Sequence, residues 1–157
     1  MLRLVQQAAR GGRVCRALLA IVLCAAVAAC YSTSYRKQAA ANTALLSELA
    51  DKLNDYCQAG FMAGQRPLSS EEMGEFDYAL KKARSWAAMT QRAAGDRPSY
   101  RALGELMNAY EAFVRDANEY RLARVRDPAR LGALAREHEA VASRARAVLD
   151  ALAQEGN

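Results

Sequence analysis

The chain has 157 residues, 22 of them basic and 17 acidic, for a formal net charge of +5. Four of the basic residues, Arg3, Arg10, Arg13 and Arg16, precede Cys30 in a stretch with no acid, so from Cys30 onward 18 basic residues face 17 acids. A body that close to neutral lacks the positive footprint of a nucleic-acid binder, which excludes nucleic acid as a partner.

The first predicted element is the leader. Ala17 to Ala29 is an uncharged, largely apolar run behind the four arginines. A spanning helix needs about 20 apolar residues; this run is shorter and is flanked as a secretory leader is. It closes on Val27-Ala28-Ala29-Cys30, with small residues directly before a cysteine. Residues 1–30, and only these, resemble the type II signal peptide of bacterial lipoproteins. The resemblance implies recognition of Val27, Ala28 and Ala29, cleavage before Cys30 and a diacylglyceryl group on the Cys30 thiol, with the new amino terminus acylated in turn. Two acyl chains anchor stably where one binds reversibly.

The resemblance further implies a lipid-anchored place in the cell envelope. Tyr31 stands where an enteric retention signal would have aspartate. That implies the outer membrane, facing the periplasm, in a Gram-negative host, and otherwise the outer face of the cytoplasmic membrane. On this reading residues 1–29 are a cleaved leader, 30–35 the lipidated cysteine and a short tether, and 36–157 a helical bundle domain. An uncleaved single-pass protein carrying the same bundle is the alternative.

Beyond the leader the pattern is helical throughout: apolar residues recur every three or four positions and convincing alternation is absent. The first helix is expected at about 34–60, with Leu46, Leu49, Leu53 and Tyr56 as its stripe, Leu45 widening it, and Gly60 as a left-handed terminator. The second, about 70–94, opens on a capping box at Ser69 and Glu72, flanked by Leu68 and Met73 as a hydrophobic staple. Its stripe is Met73, Phe76, Leu80, Ala83, Ala87, Thr90 and Ala94.

Ser99 is the expected cap of the third helix, about 99–125, whose stripe is Leu103, Leu106, Tyr110, Phe113, Ala117 and Tyr120. Asp127 and Pro128 read as a cap and a first-turn proline for the fourth, about 128–154, with Leu131, Leu134, His138, Val141, Ala145, Val148 and Leu152 inward. Four such helices joined by short connections predict an all-α antiparallel bundle. Its weakest step is the turn at Asp127. A chain that failed to reverse there would make one kinked rod of helices three and four, with a homodimer completing the bundle.

Cys15 and Cys24 fall in the leader and Cys30 is the acylation site, which leaves Cys57 alone. No disulfide can form within the mature chain, and Cys57 is expected as a small buried hydrophobe.

Few residues carry chemistry. His138, the one histidine, lies on the apolar stripe of the fourth helix between Glu137 and Glu139. A boundary histidine bonded to a neighbour is the favoured reading, because the Glu-x-x-His pattern of di-iron bundles is absent. No metal, cofactor or catalytic residue is assigned. Tyr100, Tyr110 and Tyr120 recur ten apart, about three helical turns, beside Arg121 and Arg124. They form a candidate interaction surface, or else the amphipathic rim of the core. The expectation is a membrane-anchored, non-catalytic scaffold or interaction module with an envelope protein as partner. A bundle that binds a ligand or cofactor around His138 is the alternative.

Overall fold

A computed structural model describes residues 31–59, 68–123 and 127–156. All regular structure among them is helical, and the helices pack on one another as a bundle. The chain divides into two compact units between Gln38 and Ala39. Residues 31–38, the described part of the first unit, are helical. The bundle is the second unit: α1 (residues 39–59), α2 (Ser70–Ala94), α3 (Pro98–Leu122) and α4 (Pro128–Gln154).

Two helix starts follow directly from local chemistry. At α2 the Ser69 hydroxyl accepts from the Glu72 N–H at 3.1 Å, and the Glu72 carboxylate accepts from the Ser69 N–H at 2.6 Å. Two amides that the helix leaves without partners are thereby satisfied. At α4 the Asp127 carboxylate accepts from the Ala129 N–H at 2.8 Å, and Pro128 fills the first helical position, where no donor is needed.

The third start corrects the expectation. Pro98, with its fixed φ, begins α3 one residue early, so Arg97 is the N-cap and makes no side-chain cap bond. Ser99 is displaced into the first turn and fully buried. Its N–H and hydroxyl both donate to the Glu155 carboxylate, each at 2.8 Å. The cap of α3 therefore comes from the far end of α4.

Cross-helix bonds establish the topology. Tyr110 and Tyr100 on α3 donate to the carbonyls of Phe76 (3.4 Å) and Ala87 (3.1 Å) on α2, so positions rise on one helix as they fall on the other. Ser99 meets Glu155 at one end of the α3–α4 pair, and Glu119 meets Arg130 at 3.3 Å at the other. Helices α3 and α4 thus fold back on each other and do not form a kinked rod. Lys52 pairs with Glu75 of α2 at 3.2 Å and Asp51 with His138 of α4 at 2.6 Å, which places α1 between α2 and α4 and closes the antiparallel four-helix circuit.

The core runs along all four inner faces. Leu46, Leu53, Phe76, Leu103, Leu106, Tyr110, Phe113, Val141 and Val148 are each at most 2% exposed. Burying a side chain of this kind stabilises by about 1.5–3 kcal/mol. On α1 the buried line is Ala39, Thr43, Leu46, Ala50, Leu53 and Cys57, while the expected Leu49 and Tyr56 are half-buried. Small side chains at Ala50 and Cys57 occupy the inner line and the larger neighbours cover its rim. Cys57 is buried as a thiol, as expected. Gly60 lies outside the described residues. Gly95 closes α2 with ordinary right-handed angles; a methyl there would meet the Gln91 carbonyl oxygen at 2.7 Å, so the position uses the lack of a side chain.

Candidate functional site

Val27, Ala28, Ala29 and Cys30 lie outside the described residues, as does Arg124. The remaining candidates can be placed, and the structure separates them. Tyr110 is fully buried and Tyr120 is 5% exposed, which removes both from any exposed face. Burial, reinforced by the nearby Asp77 carboxylate, raises the Tyr110 hydroxyl pKa well above its ordinary value, and that hydroxyl donates to the Phe76 carbonyl. Tyr100 is half-buried and its hydroxyl is used on Ala87. Ten residues fall about 80° short of three helical turns, so Tyr100 and Tyr120 flank the central Tyr110 at the two edges of a wide inner face.

Arg121 is a brace as well. Its guanidinium donates to the Leu68 carbonyl at 2.6 Å and twice to Asn118 Oδ1, at 3.0 and 2.8 Å. It holds the entry strand of α2 against the end of α3. Tyr100, Tyr110 and Arg121 are therefore internal ties that fix the register between α2 and α3.

His138 sits at the α1–α4 boundary with its side chain 21% exposed. A carboxylate only accepts, so Nε2–H donates to Asp51 Oδ1. The imidazole also lies 6.0 Å from the Phe113 ring, tilted by 51°. Asp51 engages Nε2, and among the described residues no group of three or more His, Cys, Asp or Glu side chains could hold a metal.

Two of the surface depressions among the described residues flank α3. The larger, an open groove of about 630 Å³, runs between α2 and α3. Met73, Leu80 and Val114 form its apolar floor, and Asp77, Lys81, Arg84, Glu111, Arg115 and Asn118 its rim. Arg84 clasps the rim by two bonds to Glu111, at 2.7 and 3.2 Å. An apolar floor with charges of both signs above it suits an amphipathic side chain better than a small anion. The smaller recess, about 60 Å³ between α3 and α4, is lined by Asp116, Tyr120, Arg130, Ala133, Leu134 and Glu137. Burial, and then the charge of Asp116, push the Glu137 carboxyl above its ordinary range, although Arg115 and Arg136 pull the other way.

The Glu155 tie was not foreseen, because no local signal joins residues 56 positions apart. Nor was the groove, whose rim residues read as an ordinary solvated surface. Compared with known proteins, the chain matches no protein-family model, no curated protein and no solved structure. Among the described residues no helix is long and apolar enough to cross a membrane.

Proposed function

We propose that the protein is an envelope lipoprotein, anchored through acylated Cys30, whose helical bundle serves as a non-catalytic scaffold or protein-interaction module. The observation that carries the reading is the leader: four arginines, no acid, an apolar run, and Val27-Ala28-Ala29 directly before Cys30. An interaction module needs a rigid body to present its surface. Three features support that role: a continuous apolar core, a cap supplied across the bundle by Glu155, and backbone carbonyls of α2 bonded by Tyr100 and Tyr110.

Acylation is tested by mass spectrometry of the protein purified from membranes. The expected amino-terminal residue is Cys30 with a diacylglyceryl thioether, and Cys30→Ser should abolish fatty-acid labelling and leave the leader attached. A wild-type chain that carries no fatty acid overturns the reading. For the module, crosslinking of the membrane-embedded protein should capture a defined partner that charge changes on the groove rim, such as Arg115→Glu, release. Capture that no surface change affects would count against it.

A further inference from the structure

The outward face of α2 gathers cations towards its C-terminal half. Between Asp77 and Asp96 the chain carries Lys81, Lys82, Arg84 and Arg92 and no acid. Tyr78, Lys82, Met89 and Arg92 fall at spacings of four, seven and three, so they share one line along the helix, opposite the buried Phe76, Leu80, Ala83 and Ala87. Tyr78 is 69% exposed and Met89 75%, the two most exposed large hydrophobic side chains among the described residues. Lys81 flanks this line on one side, and Trp86, half-buried, on the other.

Asp77 stands one turn before Lys81 and Asp96 four residues after Arg92, and two other neighbouring acids are paired. Glu75 pairs with Lys52, and Glu111 with Arg84. Lys81, Lys82 and Arg92 make no ion pair among the described residues, and all three are exposed. The face thus combines three cations outside any ion pair among the described residues with an exposed tyrosine, an exposed methionine and a half-buried tryptophan, over 15 residues or about 21 Å of helix.

We propose that this face of α2 rests on anionic phospholipid head groups, with the helix axis along the bilayer surface. Ammonium and guanidinium groups at Lys81, Lys82 and Arg92 meet lipid phosphates. Tyr78 and Trp86, rings with one polar atom each, suit the head-group layer, and the flexible Met89 thioether reaches the acyl boundary. A lipid surface is favoured over an acidic protein by the anchoring reading, on which this proposal rests. Cys30 directly precedes the helical Tyr31, so a chain acylated there has no long tether, and head groups are present at high effective concentration. The attraction is electrostatic and falls off within about 10 Å at 0.1 M salt.

The test uses the full protein purified from membranes and mixed with vesicles of neutral phosphatidylcholine alone or containing phosphatidylglycerol. Flotation reports attachment, and acetylation of Lys81 and Lys82, followed by mass spectrometry, reports the face. Head-group contact should slow acetylation of both lysines about fivefold or more on anionic vesicles relative to neutral ones, and salt should abolish the difference. The exposed triple change Lys81→Glu, Lys82→Glu, Arg92→Glu should lower the salt-sensitive part of anionic-vesicle binding about tenfold or more, each near-surface cation counting several-fold. Circular dichroism should show its helix content unchanged.

Equal acetylation on the two vesicle types, with the chain afloat on both, overturns the face and leaves the anchor standing. Protection on anionic vesicles by a chain that carries no lipid and floats only there upholds the face and removes the anchor. Protection by an acidic polypeptide, with none on anionic vesicles, overturns the proposal in favour of protein docking.

Discussion

Helix α3 closes two seams, and it closes them differently. Towards α4 it lies close along its length and is tied at both ends, by Glu155 on Ser99 and by Arg130 on Glu119. Towards α2 the approach is looser: two tyrosine hydroxyls reach across to helix carbonyls, and a groove of about 630 Å³ opens above Met73, Leu80 and Val114. One helix thus separates a seam tied at both ends from a looser one whose groove is floored by side chains only 5–7% exposed.

The largest expected effect contrasts the two seams directly. Leu134 on α4 is 3% exposed and Leu80 on the groove floor 7%, so their burial is nearly equal and only their surroundings differ. Leu134→Ala should cost about 2–5 kcal/mol in a denaturant titration. Leu80→Ala should fall at the low end of that range, because the open groove admits water and lets flexible rim side chains move in. A Leu80→Ala loss larger than that of Leu134→Ala would reverse the ranking of the seams.

The end ties give the next contrast. Removing the Glu155 carboxylate takes away the acceptor of both bonds from the fully buried Ser99 and the ion pair with Arg97 at 3.6 Å. Glu155→Ala should therefore cost about 1–3 kcal/mol. The Arg84–Glu111 clasp at the groove is short, at 2.7 Å, but its side chains are 43% and 51% exposed. Arg84→Ala should cost about 0–1 kcal/mol, as exposed ion pairs do. Equal losses from the two changes would mean that the ties do not distinguish the seams.

These contrasts also mark how far the fold is legible in the sequence. The capping box at Ser69 and Glu72 and the Asp127–Pro128 start were readable because every partner lies within a few residues. The stripes of α3 and α4 were readable because both helices bury one strongly apolar face. Legibility failed where the deciding contact is remote. Ser99 looks like a cap in isolation, but its partner is 56 residues away. On α1, Leu49 and Tyr56 outweigh Ala50 and Cys57 in size, and only the proximity of neighbouring helices puts the small residues inside. Tyr110 and Tyr120 read more readily as the rim of the core than as surface, and the burial of the α3 face agrees. The groove left no mark, since a charged rim has the same composition with or without a depression beneath it.

The smallest effect probes a point where the tight seam carries an unfavourable charge. Glu137 faces Asp116 across α3 and α4; burial and then that like charge raise its pKa, against the pull of Arg115 and Arg136. A carboxyl whose pKa is higher in the folded than in the unfolded chain binds its proton more tightly when folded. Its stabilising contribution is complete below the unfolded pKa and is lost as pH rises through the folded one. At neutral pH Glu137 is therefore a mild liability. Glu137→Gln, which keeps the shape and removes the charge, should raise the denaturation midpoint at neutral pH, and the advantage should shrink as the pH falls through the carboxylate range. Asp116→Asn should give the same sign, and the double change less than the sum of the two, because either one relieves the shared repulsion. If Glu137→Gln shifts the midpoint equally at neutral and acid pH, its effect is one of packing and the like-charge account of this seam fails.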